Sequence, residues 1–183
     1  MKLGSNIYNN IIDFLRKRFI EFFGLILITL FLFFVYSLIR YSPENSTLIF
    51  KTDEITSKHF LEIYVDATAD FFLQSFGLIS FLFAITLLSW SLNLIFQKKI
   101  EKILNKILYC ILYIVFGCLF LYTTFNNSFW LIDNGNSGFV GERFYNLIQR
   151  FIPLIENNIS KVTLLILTLS FFILSISINI KYF

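Results

Sequence analysis

The sequence predicts an all-α, polytopic membrane protein, a four-helix transmembrane bundle with short amphipathic helices at its interfaces. Three observations predict it. Hydrophobic residues make up 57% of the 183 residues and charged ones 15%, against about 45–50% and about 25% in soluble globular proteins, so a water-soluble core is the wrong starting picture. Four stretches stay apolar for the length, about 20 residues, that a helix rising 1.5 Å per residue needs to cross roughly 30 Å of hydrocarbon. The basic residues sit in short blocks beside these stretches instead of spreading over a face, which argues against a nucleic-acid-binding surface in this chain.

The first span covers 19–39 and the second 71–96, the third 107–125 and the fourth 162–180. Ahead of them, residues 1–18 form a basic N-terminus in which Ile7, Ile11, Ile12 and Leu15 share one helical face. This is the pattern of a helix lying in the interface before the chain turns into the bilayer. The first span exceeds a signal-peptide core and no Ala-x-Ala-like site follows it, so it reads as an uncleaved anchor.

Flanking Lys and Arg are retained on the cytoplasmic side. Lys2, Arg16, Lys17 and Arg18 precede span one; Lys98, Lys99, Lys102 and Lys106 occupy or border the inner link 97–106; Lys181 lies in the C-terminal segment 181–183. All share one side, which puts both ends in the cytoplasm, and anything following Phe183 would be delivered there. The Arg16, Lys17, Arg18 and lysine clusters are expected to meet anionic lipid head groups. The outer loops 40–70 and 126–161 receive most of the acids, including Glu44, Asp53, Glu54, Asp133 and Glu156.

Both outer loops also carry amphipathic patterns. In 59–70, Phe60, Ile63, Tyr64 and Ala67 oppose an acidic stripe of Glu62, Asp66 and Asp70. We read the stripe as a solvated helix face; a metal or a basic partner is the other reading. In the second loop Phe144, Leu147, Ile148, Phe151 and Ile152 repeat at helical spacing up to Pro153, which ends or kinks the helix. The two halves thus share a layout of span, outer loop, amphipathic helix and span. Tyr36 and Tyr41 suit the outer interface, and Pro43 stops span one from continuing. Gly135, Gly138 and Gly141 permit positive φ or close backbone approach before the second outer helix. A structural turn is the preferred reading of this loop, because Glu142 at its mouth would repel an anion.

Catalytic chemistry is missing. Cys110 and Cys118 fall inside one apolar run, where thiols behave as small hydrophobes, and His59 stands alone, so no metal site or disulfide framework is readable. There is no phosphate-binding Gly-x-x-x-x-Gly-Lys-Ser/Thr, and no nucleophile, base and orienter can be assembled. No cofactor is implied. Intramembrane ionisable groups mark ion or proton paths, and the middles of the four spans read as having none; Gln74, Asn93 and Asn179 lie toward span ends. Gly24, Gly77 and Gly117 with Thr29, Ser80, Thr86, Ser89 and Ser170 supply surfaces for helix contact.

The exits and entries of the spans carry a family resemblance. Tyr41-Ser42-Pro43-Glu44-Asn45-Ser46 follows span one; Asp66-Ala67-Thr68-Ala69-Asp70-Phe71-Phe72-Leu73-Gln74-Ser75-Phe76-Gly77-Leu78 enters span two, with Trp90 farther along; Gly135 to Gly141 precedes span four. In order and placement these resemble the N-terminal four-helix membrane domain of the FtsK/SpoIIIE bacterial DNA translocases over roughly Arg18 to Ile180. The departures are Asn45-Ser46 for Asp-Pro, Asp66 for Gly and Ser137 for one Gly of a pair, in the direction an A/T-rich coding sequence would favour.

The resemblance implies an inner-membrane protein that gathers at the division septum. It also implies contact with other division proteins, self-association matched to a hexameric motor, and coupling of septum closure to chromosome segregation. Tyr41, Pro43, Asp70, Phe76, Gly77, Gly135, Gly138 and Gly141 are its loop positions, structural or in partner contact. The family's ATP-driven motor is not among these residues, so the chain is expected to be a fragment of a longer protein, the product of a truncated gene, or a stand-alone membrane partner of a motor encoded elsewhere. Two other functions suit the same composition: a small oligomeric transporter or channel subunit, and a non-catalytic membrane subunit of an enzyme complex.

Overall fold

A computed structural model describes residues 2–43, 60–97, 102–128, 131, 134–151 and 157–176. Among the described residues the fold is all-helical: α1 (Lys2–Arg40), α2 (Phe60–Phe76), α3 (Ile79–Gln97), α4 (Ile103–Phe125), α5 (Gly138–Gln149) and α6 (Asn158–Ile176). The stretches long and apolar enough to cross a membrane are Ile11–Arg40, Ile79–Phe96, Ile103–Phe125 and Asn158–Ile176. Glu44, Asn45, Ser46, Asp53, Glu54, His59, Lys98, Lys99, Asp133, Ile152, Pro153, Glu156, Asn179 and Lys181, named above, lie outside the described residues.

Two helices differ from the sequence reading. The N-terminal amphipathic segment is not a separate helix; it continues into span one as the 39-residue α1, about 58 Å at 1.5 Å per residue. Nothing between Ile7 and Phe19 breaks a helix, and Arg and Lys are good helix formers. The stretch 71–96 is not one helix either. Its first six residues end α2, the chain turns at Gly77 and Leu78, and α3 begins at Ile79.

Packing follows the two halves. Helix α1 lies against α2 and α3, and α4 lies against α5 and α6; the halves meet through α2 with α5 and through α3 with α4 and α6. Phe34, Leu38, Leu73, Ala84 and Leu131 form the core of the first half. Ile79, Cys110, Tyr113 and Cys118 form the seam between halves, and Leu119, Tyr145 and Leu164 the core of the second. Gly24 and Gly117 are points of close helix contact, the former against Leu94 and Ile95, the latter against Ile79 and Thr168.

Toward the C-terminal part of α6, carbonyls of Ser175 and Ile176 accept hydrogen bonds from α3. Ser89 Oγ donates to the Ile176 carbonyl (2.9 Å), Trp90 Nε1 to that of Ser175 (3.0 Å) and Asn93 Nδ2 to that of Ile176 (3.4 Å). Polar side chains in or near hydrocarbon must be paired within the protein, and these carbonyls supply the partners. This is why polar residues are tolerated so close to the end of span two.

Candidate functional site

The loop positions singled out in the sequence converge at the opposite end of the bundle, where α1 ends, α2 turns into α3 and α5 begins. The turn at Gly77 organises the convergence. Gly77 has φ +56° and Gly138 φ +65°, in the left-handed region that costs a residue with a Cβ about 1–2 kcal/mol. Their backbones also touch. A Cβ on Gly77 would run into the Asn136 carbonyl and the Gly138 amide, and one on Gly138 into the Ser75 carbonyl and the Gly77 amide. The contact is sealed by the Leu78 amide donating to the Asn136 carbonyl at 3.0 Å.

Polar side chains complete the junction. Gln74 links the first two motif segments to the residue before the third: its Nε2 donates to the Tyr41 hydroxyl (3.2 Å), and its Oε1 accepts from Asn134 Nδ2 (2.7 Å). Asn136 Nδ2 donates to the carbonyls of Phe125 (2.8 Å) and Asn127 (3.0 Å), capping the end of α4. Ser137 Oγ donates to Asn126 Oδ1 (2.8 Å). The Cys118 thiol reaches the Phe76 carbonyl at 3.5 Å, and Gly141 lies buried against the Cys118 carbonyl and Ser137. Gly135, also at positive φ, packs on Asn126. The glycine loop is therefore a structural turn whose backbone is committed to α2 and α4.

Asp66 and Asp70 stand elsewhere than expected. They are 5% and 1% exposed, on the face of α2 that carries Val65, Ala69 and Leu73, so the acidic stripe is not a solvated face. Sequence periodicity assigns charge to water, but α2 is packed by α1 and by α5 at once, and that leaves only part of the stripe outside. Glu62, farther up the helix, is half-exposed and pairs with Arg40 at 3.2 Å. Among the described residues no group of three His, Cys, Asp or Glu is placed to hold a metal ion.

The remaining assigned positions divide. Pro43 is exposed just beyond α1, Tyr41 is partly buried, and Phe76 packs on the seam between halves. At the other end Arg16, Lys17, Arg18 and Lys102 are exposed, with Arg18 paired to Glu21 at 2.6 Å. Lys106 is not at a lipid surface: it is 7% exposed. It shares its helix face with the buried Cys110, Tyr113 and Gly117, a spacing of four, seven and eleven residues that turns it toward α6.

Sequence reading overlooked two features. Asn126, Asn134 and Asn136 hold the junction, yet as isolated loop asparagines they carry no periodic signal. Tyr113 sits fully buried in mid-span, its hydroxyl 2.8 Å from Thr86 Oγ1, so the span middles do hold an ionisable group, a phenol tied into helix packing. Above the junction an open polar pocket of about 530 Å³ is lined by Tyr122, Asn126, Asn127, Ser128, Leu131, Asn134, Gly135 and Glu142. Several of its amides are already engaged in the bonds above.

A protein-family model, the 4TM region of the DNA translocases FtsK and SpoIIIE, matches residues 16–181. The chain belongs to this family. No curated protein and no solved structure matches it. Membership gives the junction its meaning: the segments through which the chain resembles the FtsK/SpoIIIE membrane region, far apart in sequence, are the ones Gln74 and the Gly77–Gly138 contact join in space. In this family the four-helix region is a non-catalytic membrane part of a DNA translocase.

Proposed function

We propose that this four-helix region holds a septal DNA translocase at the inner membrane, with both of its ends in the cytoplasm, where DNA is. The family match over residues 16–181 carries the reading, and the junction supports it. A rigid joint between halves at the outer end gives the domain one fixed surface for other division proteins, while the lipid-facing flanks of the spans are available for self-association toward the motor's hexamer. Coupling of septum closure to chromosome segregation follows from having both contacts on one molecule.

A fluorescent fusion is expected to concentrate at midcell in dividing cells of the source bacterium. Uniform envelope fluorescence overturns septal targeting. Orientation has its own test, since it rests on the basic clusters Arg16–Arg18 and Lys98–Lys106 remaining inside. A cysteine at Ser42 is expected to react with a membrane-impermeant maleimide in intact spheroplasts, and one at Arg16 only after permeabilisation. The reverse pattern overturns the topology and leaves the membrane reading intact.

A further inference from the structure

Helix α5 presents three sectors when followed round at about 100° per residue. Gly138, Gly141 and Tyr145 face the bundle and are buried. Glu142, Asn146 and Gln149 occupy a second, polar sector. The third is apolar and open: Phe144 (38% exposed), Leu147 (53%) and, two residues past the helix end, Phe151 (84%). A helix that only covered the end of a bundle would place polar residues there. Phe139 lies at the border between the open apolar and polar sectors with Arg143 and Arg150, both exposed; the Arg143 guanidinium stacks over the Phe139 ring at 4.8 Å. Neither arginine pairs with a carboxylate among the described residues.

The occupant of the open sector follows from its neighbours. Helix α5 packs on α4, whose adjacent end exposes Phe125 (62%), and the facing end of α6 exposes Ile159 (72%) and Val162 (55%). These are exposed apolar residues on two helices long and apolar enough to cross a membrane, so the open ridge of α5 shares its end of the bundle with surface suited to hydrocarbon. Arginine at the border between apolar and polar sectors is the arrangement of an interfacial helix, its ring and stem in the acyl boundary and its guanidinium at head-group level. The two arginines are seven residues apart, about 10 Å along one edge of the helix.

We propose that α5 is seated in the bilayer leaflet opposite the Arg16–Arg18 end, with Phe144, Leu147 and Phe151 in the acyl region and Arg143 and Arg150 on the phosphates of anionic lipids. Guanidinium suits this role because its planar fork binds phosphate oxygens in pairs. The site is separate from the cytoplasmic basic clusters and independent of where in the cell the protein gathers.

The test uses the full chain in vesicles, with an environment-sensitive fluorophore on L147C or N146C and the parent chain as the blank for its buried thiols. Acyl-brominated lipids are expected to quench the label at 147 severalfold more than that at 146. At equal mole fraction, brominated phosphatidylglycerol is expected to quench it about twofold or more over brominated phosphatidylcholine, because basic residues near a membrane surface attract anionic lipid. R143Q/R150Q is expected to abolish this preference and R143K/R150K to keep most of it. Equal quenching at 146 and 147 overturns the seating, and so does quenching that falls as protein density rises, which would mean a second copy covers the ridge. A parent chain that does not distinguish the two lipids, or a preference unchanged in R143Q/R150Q, overturns the phosphate contact.

Discussion

Gly77→Val is expected to remove most of the domain's stability, by about 3 kcal/mol or more, the range reached when a special backbone conformation and close packing fail together. The two costs have separate origins. At φ +56° a β-branched residue is held in a region that L side chains rarely adopt. Its Cβ would also overlap the Asn136 carbonyl and the Gly138 amide, backbone atoms that no rotamer change can move. Relief requires α2 and α5 to separate, which breaks the Leu78 to Asn136 hydrogen bond and strains the link from Gln74 to Asn134. Unfolding of the purified protein in mixed detergent micelles measures the loss. Gly24→Ala is the control, because Gly24 has no positive φ and its Cβ meets first the Ile95 side chain at 2.7 Å and no backbone atom closer than 3.3 Å, so its loss should be smaller than that at 77. Equal stability of Gly77→Val and the parent would mean that the halves are not joined at this point.

The same glycine shows where sequence reading stops. The four spans were legible because apolar length is a local property: a chain segment either matches the hydrocarbon thickness or does not. Gly77 itself was singled out, but the turn it makes was not, since the apolar run continues through Phe76, Leu78 and Ile79 and hydropathy registers no boundary. The fate of the acids was hidden for the opposite reason. Periodicity finds the face of α2 that bears Glu62, Asp66 and Asp70, yet whether that face meets water depends on α1 and α5, which are distant in sequence. Lys106 was misplaced by the weight given to lysine as an interfacial residue; its register with Cys110, Tyr113 and Gly117 was available and pointed inward. Of the junction, the glycines and Tyr41 were visible as motif residues, whereas Asn126, Asn134 and Asn136 act through bonds to carbonyls and amides that only the assembled fold brings near.

Tyr113→Ala is expected to cost about 3–5 kcal/mol, the range for deleting a large buried ring, although the residue lies in a span where an aromatic reads as ordinary apolar filling. The ring is fully buried at the seam between halves and meets Phe172 edge-on at 5.4 Å. Its hydroxyl belongs to a directed chain. Thr86 has one proton, and the geometry gives it to the Leu82 carbonyl at 3.1 Å; the 2.8 Å contact with Tyr113 is then donated by the phenol, which in turn accepts from the Cys110 thiol at 3.6 Å. Removing the hydroxyl alone is a smaller change, because interhelical hydrogen bonds within membranes contribute only about 0.6–1.7 kcal/mol and Thr86 keeps its bond to Leu82. Tyr113→Phe should therefore unfold in detergent within that interval of the parent, and Thr86→Val similarly. The double variant should show a loss smaller than the sum of the two, since each single change already breaks the shared bond. Full additivity would dissociate the two hydroxyls, and a Tyr113→Phe loss as large as that of Tyr113→Ala would locate the stabilisation in the hydrogen-bond chain instead of in the ring that separates α3 from α6.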